Sequence, residues 1–280
     1  MPDLLELLLT HPFIQRAIIS AILVSLISAT TGTFMVFRGL SFMVSGVAHA
    51  ALGGAALGIF LQSTGIAPWF DPILGALLFS LVIAIITGYA GETGVTSRME
   101  VAVGVTFALS MSAAVFFMYY IPPERMPRVW GYLIGDPLLL TSNDLILLFT
   151  ACFLLLIFTA IFFKEFTYVS LDMEGSMAHG MNVKFYHYLM LITSAIAISI
   201  ATKAVGAILV YAIMVAPAAA SNEWAKTVRS IILWVFIISL LSQLIGLAAS
   251  LQWNTSPRAI AGIISTLVYI GALVTRRRRK

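Results

Sequence analysis

Apolar runs long enough to cross a bilayer recur along the whole chain, and short polar stretches separate them. A helix of roughly 17–25 predominantly apolar residues spans the hydrocarbon core. The runs that fit lie at about 13–37, 41–62, 72–90, 101–121, 145–163, 186–202, 204–220, 231–250 and 259–275. The two runs flanking Lys203 are short. We therefore expect nine spans, or eight full spans with one re-entrant or broken segment.

Composition points to the same class of protein. Of the 280 residues, 60% are hydrophobic and only 10% are charged, whereas a soluble domain carries roughly 25% charged residues because its surface faces water. We predict an all-α, polytopic membrane helical bundle that forms a single transmembrane domain over residues 1–280. The chain opens with Asp3 and Glu6 ahead of its first apolar run, the reverse of the basic start of a signal peptide, so we expect no cleaved leader.

The distribution of basic residues predicts the orientation. If the N-terminus lies outside and the C-terminus inside, eleven of the sixteen Lys and Arg residues fall on the inner side, as the positive-inside rule requires. The basic tail at 275–280 then faces an anionic cytoplasmic leaflet. A nucleic-acid partner is not expected, because the other basic residues lie between apolar runs.

The longest polar interruption on the inner side covers about 164–185. Asp172 and Glu174 are followed by Gly180, a residue type that commonly ends a helix. This pattern predicts a short helix with acidic residues in its first turn. Such a helix is suited to dock a soluble partner on the cytoplasmic face. It is equally suited to rest on lipid headgroups, and the pattern alone does not choose between the two.

The predicted second span carries an imidazole on a helix built for close packing. Residues four apart share a helix face, and one face holds only small residues: Gly46, Ala50, Gly54 and Gly58. Such a ladder lets another backbone approach closely. Ser45, His49 and Gly53 form the neighbouring stripe.

His49 has two interpretations. An ionisable group within a membrane is by default a site hypothesis, and imidazole is a ligand for zinc and related divalent ions. The alternative is a hydrogen bond to a neighbouring helix. Lys203 also has two interpretations. With Gly206 and Pro217 it marks a broken helix of the kind that lines transporter cavities. Alternatively, its side chain extends to the membrane interface.

Several stretches, in order along the chain, resemble the integral-membrane permeases of the zinc-, manganese- and iron-type ABC importers, the third family of such permeases. They are FRGLSFMVSGVAHAALGGAALG from Phe37, YLIGDPLLLTSNDL from Tyr132, FTYVSLDMEGSMAHGMNVKFYHYLML from Phe166, ATKAVGAILVYAIMVAPAAAS from Ala201 and WNTSPRAIAGIISTLVYI from Trp253. They are spread in order over nearly the whole chain, although none is decisive alone.

The resemblance implies a role and partners. In that family two permease subunits form the pathway, two cytoplasmic ATPase subunits bind the short cytoplasmic helix, and an extracytoplasmic binding protein delivers the ion. By resemblance, His49 is the pathway histidine. The ATPase-coupling residues implied are Asp172, Glu174, Ser176 and Gly180. Zinc, manganese or iron is the implied cargo, no tightly bound cofactor is expected, and a homodimer in the plasma or inner membrane of a prokaryote is implied.

This chain departs from the family pattern one turn before the histidine. Where the family usually has Gly-Asp, the sequence has Val44-Ser45, and a hydroxyl is a poorer metal ligand than a carboxylate. Ser45 therefore leaves the identity of the metal open.

The sequence argues against two other classes of function, a stand-alone carrier or channel and an enzyme. The sequence contains no G-x-x-x-x-G-K-[ST] loop for ATP phosphates, so we expect no ATP hydrolysis by this chain. A stand-alone secondary carrier or channel usually shows inverted repeats or several buried acids, and buried carboxylates are scarce here. An intramembrane enzyme would need Ser45 and His49 with a third orienting group, and none is evident.

Overall fold

The computed structural model describes residues 11–92 and 96–277, and every regular element within them is helical. The helices are α1 (Pro12–Phe37), α2 (Ser41–Thr64), α3 (Pro72–Gly91), α4 (Thr96–Tyr120), α5 (Met126–Ile134), α6 (Ser142–Ile161), α7 (Phe163–Leu171), α8 (Met173–Ala178), α9 (Val183–Val205), α10 (Val210–Met214), α11 (Ala216–Trp224), α12 (Val228–Trp253) and α13 (Pro257–Arg277). Short 3-10 turns at Pro123–Arg125 and Pro137–Leu139 flank α5.

Eight of the described helices are long and apolar enough to cross a membrane: α1, α2, α3, α4, α6, α9, α12 and α13. The predicted run at 204–220 is instead split between the end of α9 and the short helices α10 and α11. The expectation of eight full spans with one broken segment is therefore confirmed, and nine uninterrupted spans is wrong. Gly206 and Pro217 supply the physical reason, because the first ends α9 and the second lies in the first turn of α11.

Contacts between helix ends divide the bundle into two faces. On one face, which we call the inner face, Arg38 meets Met173 of α8, and Glu92 pairs with Lys184. On the other, the outer face, Lys203 pairs with Asp144. The N-terminal end of α1 lies towards the outer face, and α13 begins there, because Arg258 bonds the Ala204 carbonyl at the end of α9.

The broken segment completes a ninth crossing. It leaves α9 at the outer face, where the Ala207 amide donates to the Tyr132 carbonyl of α5 at 2.9 Å. Its two short helices then lead to the inner end of α12. The two ends of the described chain therefore lie on opposite faces, as the predicted N-out, C-in arrangement requires. Which of the two faces is cytoplasmic stays a prediction from the distribution of basic residues. Residues 278–280 of the predicted basic tail, together with Asp3 and Glu6, lie outside the described residues.

The break between α10 and α11 is stabilised by hydroxyls from two neighbouring helices. Pro217 has no amide to donate to the Ile213 carbonyl four residues before it. Ser28 of α1 and Ser239 of α12 donate to that carbonyl instead, at 3.2 and 3.3 Å. Ser28 also reaches the Met214 carbonyl at 3.1 Å. The carbonyls freed by the break are therefore bonded within the protein, as the low polarity of the bilayer demands.

Glycines set the distance between α2 and α3. A Cβ added at Gly54 would collide with the backbone carbonyl of Gly75, and one added at Gly58 would collide with Pro72. On the neighbouring face, Gly53 lies against the Ser110 carbonyl of α4. Gly54 and Gly58 of the predicted ladder therefore pack against the backbone of α3, and Gly46 packs against the Val103 side chain of α4. The predicted close packing of α2 is confirmed.

We predict that Gly54→Ala destabilises the purified protein, because the new methyl group would separate α2 from α3. Overpacking of this kind costs about 1–3 kcal/mol, more than the roughly 1 kcal/mol that alanine gains over glycine in a helix. The measurement is the midpoint of thermal unfolding in detergent.

Gly104→Ala is the matched control, since a Cβ added at Gly104 of α4 meets no atom within 4 Å. This control should be neutral or slightly stabilising. Equal midpoints for the two variants would contradict the packing account.

Candidate functional site

His49 lies on the stripe of α2 that faces α4. Its ring packs edge-on against Phe107, with centroids 4.7 Å apart, and it is neither fully buried nor fully exposed. Helix packing on the other faces of α2 leaves this stripe as the helix's partly open side. The histidine is therefore held in a packed environment while part of its ring stays accessible.

The hydrogen bonding of His49 assigns its tautomer. Nδ1 lies 2.8 Å from the backbone carbonyl of Ser45, which can only accept a proton, so Nδ1 carries the hydrogen and Nε2 carries the lone pair. Donation from one ring nitrogen to a backbone carbonyl is the usual support of a metal-ligating histidine. Nε2 makes no hydrogen bond to any described residue, so this nitrogen is free to bind a ligand.

Ser45 does not replace the missing carboxylate. Its hydroxyl lies 3.4 Å from Nδ1 of His49, on the side of the ring already bonded to the Ser45 carbonyl. Across the described part of the chain, no group of three or more His, Cys, Asp or Glu side chains converges in a way that could hold a metal ion. A single chain therefore offers one imidazole nitrogen and not a complete coordination shell.

The structure places Lys203 apart from His49. Its ammonium group lies 2.6 Å from Asp144, whose carboxylate also accepts from Thr141 in the capping box of α6. The Lys203 side chain is 37% exposed and that of Asp144 is 9% exposed. The ion pair holds the Lys203 side chain at the outer end of α9, and a role for Lys203 in the pathway stays a prediction. Asp144 was not predicted as its partner, although it lies in a quoted motif.

A small pocket at the outer face adjoins this ion pair. Tyr132, Ser199, Asp144 and Lys203 line it, and the buried Ser199 hydroxyl has no hydrogen-bond partner among the described residues. Burial, with the nearby carboxylates of Asp71 and Asp144, raises the pKa of Tyr132. The pocket is too narrow for more than a water-sized group.

Gly206 has a conformational role at the outer face. Its φ of +88° is rarely adopted by other residues, and a Cβ there would collide with the carbonyl of Ile134. The close approach brings α5 against the start of the broken segment, where Ile208 donates to the Leu133 carbonyl. Gly206 and Pro217 thus shape the break, one at each end of α10.

The predicted short helix forms at the inner face as α8. Asp172 is its N-cap and accepts from the Gly175 amide at 2.8 Å, while Ser176 donates back to the Asp172 carbonyl at 2.6 Å. Gly180 follows the helix with a φ of +77°. Three of the four residues assigned to coupling therefore build the helix, and their exchange would disturb its shape.

Glu174 is different, because it is exposed and forms no hydrogen bond or ion pair with a described residue. Met177 on the same helix is 51% exposed. Beneath them, an Arg38 amino group contacts the Met173 sulfur at 2.8 Å, and burial lowers the pKa of Arg38. Helix α8 therefore presents an acid and an apolar side chain outwards while its underside contacts the end of α1.

The inner ends of α3 and α9 are joined by a second polar contact. Glu92 accepts from Lys184 at 2.7 Å and from Tyr188 at 3.0 Å, and these hydrogen bonds lower the pKa of Glu92. His187, next along α9, is fully buried, and neither of its ring nitrogens forms a hydrogen bond of good geometry with a described residue. Sequence patterns did not single out these residues, because the pairing joins positions far apart in the chain.

A buried arginine near the outer face was also missed. Arg258 is 2% exposed, although it is one of the five basic residues that the orientation count leaves on the outer side. It donates to the Ala204 carbonyl at 3.2 Å, to the Ser20 hydroxyl at 3.2 Å and to the Gln243 side-chain oxygen. Gln243 in turn donates to Ser25 at 2.8 Å. This network joins α1, α9, α12 and α13, so we assign it a structural role.

Comparison with known proteins places this geometry in a family. The model of the ABC 3 transport family matches residues 10–276. The manganese transport system membrane protein MntC of Listeria monocytogenes is 27% identical, over 96% of this chain and 93% of the relative. The high-affinity zinc uptake system membrane protein ZnuB of Haemophilus influenzae is 27% identical, over 94% and 97% of the two chains.

A solved structure agrees with these relatives. The structure described as PsaBC from Streptococcus pneumoniae in complex with Fab matches with a TM-score of 0.81 and 26% identity. The match covers 96% of this chain and 93% of the other. The overall arrangement of helices therefore corresponds to a known architecture over nearly its full length.

For the Arg258 network we predict that Arg258→Met lowers the thermal unfolding midpoint, because it leaves the Gln243 oxygen buried without a donor. An unsatisfied buried group costs about 1–3 kcal/mol. The double variant Arg258→Met/Gln243→Met should be more stable than the single variant, because both partners are then apolar and Ser25 still donates to the Ala21 carbonyl.

Arg128→Met, at an exposed outer-face arginine, is the control and should be silent. Additive losses in the double variant would show that the two side chains do not act as a unit.

Proposed function

The chain belongs to the ABC 3 transport family, and we propose that it is the membrane-spanning permease subunit of an ATP-driven importer for divalent metal ions. The observation that carries the proposal is His49, the single ionisable residue of α2. Its Nδ1 is bonded to its own helix, and its Nε2 makes no hydrogen bond to a described residue. Zinc, manganese or iron is the proposed cargo, and the relatives MntC and ZnuB are named for manganese and zinc transport. The chain would act in the plasma or inner membrane of a prokaryote.

The physical need for His49 follows from the cost of dehydrating an ion. Moving even a monovalent ion into a medium of low dielectric costs on the order of 20 kcal/mol by Born estimates. A divalent ion therefore needs protein atoms that replace some of its water along the route. An imidazole nitrogen is such an atom, and it suits zinc and iron well.

One chain supplies only part of such a route, so we propose a dimer of permease subunits. His49 lies on the partly open stripe of α2 and not in the sealed interior. A second copy facing this stripe would bring a second imidazole and complete a water-filled pathway between the subunits. The hydroxyl and carbonyl of Ser45 support the ring on its far side and would not themselves select the metal.

Energy would come from separate cytoplasmic ATPase subunits that dock on α8. The exposed Glu174 and Met177 form the docking surface, and Arg38 beneath α8 passes the displacement to the end of α1. ATP binding by the partners would then shift the bundle between outward- and inward-open states. At the outer face, an extracytoplasmic binding protein would release the ion near α5, which exposes Arg128 and Trp130.

We predict that His49→Ala reduces metal uptake at least tenfold. Loss of a residue that only supports a metal ligand typically costs 10–100-fold in affinity or activity, and loss of the ligand itself should cost at least as much. Uptake of radioactive zinc and manganese would be measured in proteoliposomes that contain the permease with its ATPase subunits. Assembly and basal ATP hydrolysis should stay unchanged.

His11→Ala, at an exposed histidine at the outer end of α1, is the matched control. Undiminished uptake by His49→Ala would remove the pathway role. Wild-type uptake without the ATPase subunits would favour a stand-alone carrier.

We predict that Glu174→Lys weakens capture of the ATPase subunits about tenfold and lowers metal-stimulated ATP hydrolysis, because the reversed charge faces the docking partner. Glu100→Lys, at an exposed acid near the inner end of α4, controls for a general change of surface charge. Binding would be measured by surface plasmon resonance with the permease in nanodiscs. Unchanged binding and hydrolysis in Glu174→Lys would exclude this residue from the interface.

A further inference from the structure

A crevice of about 710 Å³ opens at the inner face between α6, α7 and α12, with α1 at its floor. Leu156, Thr159 and Ile232 line its deeper part. Its inner rim carries Lys164, Glu165 and Arg229. The crevice is therefore apolar towards the middle of the membrane and charged where the inner leaflet's headgroups lie.

The two cations at the rim are available to a ligand. Lys164 and Arg229 are exposed, and neither forms a hydrogen bond or an ion pair with any other described residue. Glu165 lines the same rim but lies outside salt-bridge distance of both. The rim thus carries two positive charges against one negative charge, and its net charge favours an anion.

A hydroxyl inside the crevice is also available. Thr150 on α6 and Thr167 on α7 each donate to the carbonyl four residues earlier, at 2.8 and 2.7 Å. Thr159 lies between them, is only 6% exposed, and makes no hydrogen bond within the described part of the chain. Its hydroxyl is therefore a free donor just above the charged rim.

From these features we propose that the crevice binds one anionic phospholipid of the inner leaflet. The headgroup phosphate lies between Lys164 and Arg229, an ester carbonyl accepts from Thr159, and an acyl chain lies along Leu156 and Ile232. Basic pockets between membrane helices on the cytoplasmic side are suited to such headgroups. A bound lipid would brace α12 against α6 beside the π-helical turn of α1, Ser28–Gly32, which supports the broken crossing.

Charge argues against a second copy of this chain as the occupant. A symmetric interface would place two unpaired cations from each subunit near one another, and the cores of protein interfaces are depleted in lysine. A lipid supplies both the phosphate and the apolar chain that the two halves of the crevice require.

The test is native mass spectrometry of the permease with its ATPase subunits, titrated with phosphatidylglycerol or with phosphatidylcholine of the same chains. The wild-type complex should retain one phosphatidylglycerol per permease and show no comparable retention of phosphatidylcholine. Lys164→Gln/Arg229→Gln should weaken phosphatidylglycerol binding about 30-fold, because each basic residue near an anionic headgroup contributes roughly fivefold. Glu165→Gln should strengthen binding.

Two further variants separate the proposal from simpler explanations. Arg98→Gln/Lys226→Gln removes two exposed inner-face charges that do not line the crevice and should leave binding unchanged. Ala160→Trp, at an exposed position of the wall, fills the crevice without changing charge and should abolish selective retention.

Three outcomes would overturn the proposal. Retention of phosphatidylglycerol by Ala160→Trp would place the lipid elsewhere. Equal losses in the two double variants would reduce the effect to general surface charge. Loss of a subunit from the complex in Lys164→Gln/Arg229→Gln, with lipid retention intact, would identify the rim as a protein interface. Glycerol phosphate should not compete at millimolar concentration, since it lacks the acyl chain.

Discussion

The structure depends on the requirement that every backbone carbonyl and amide within the bilayer finds a partner inside the protein. Within the described part of the chain, eight spans meet it as continuous helices, one of which contains a π-helical turn. The ninth crossing does not, because Pro217 leaves the Ile213 carbonyl without its helical donor. Hydroxyls from Ser28 and Ser239 take its place, and the amides of Ala207 and Ile208 donate to carbonyls of α5. Helices α1, α5 and α12 are therefore held around the break by its hydrogen bonds.

The sequence predicted the parts of this fold that depend on local pattern. Apolar run length located the spans, and the small residues of α2 predicted its close packing, since Gly54 does meet the backbone of α3. Asp172 and Gly180 located both ends of α8. Each of these signals lies within a few residues of the feature that it predicts.

What the sequence could not predict is which distant polar groups meet. Arg258 was expected to be an ordinary outer-side charge, yet it is buried against Gln243 and Ser20. The sequence left two interpretations of Lys203 open, and its ion pair with Asp144, at 2.6 Å, was not among the predictions. Among the site residues, the tautomer of His49 depends on a bond within its own helix, but its accessibility depends on how α4 packs beside it. Pairings across 59 or 238 positions leave no trace in periodicity or local composition.

The same hydrogen bonds that satisfy the break also connect the two faces of the molecule. At the inner face, Arg38 contacts Met173 of α8. Arg38 directly follows α1, and the π-helical turn of α1 contains Ser28. Ser28 bonds the carbonyls of Ile213 and Met214, and the outer end of the same broken segment is bonded to α5. A displacement of α8 would therefore reach a segment held by side-chain hydroxyls in place of continuous helical bonds. Such a segment can exchange partners without exposing its backbone to lipid, which is what a bundle that alternates between two open states requires. The contacts supply a continuous physical connection, and measured coupling between its two ends would establish it as a route of transmission.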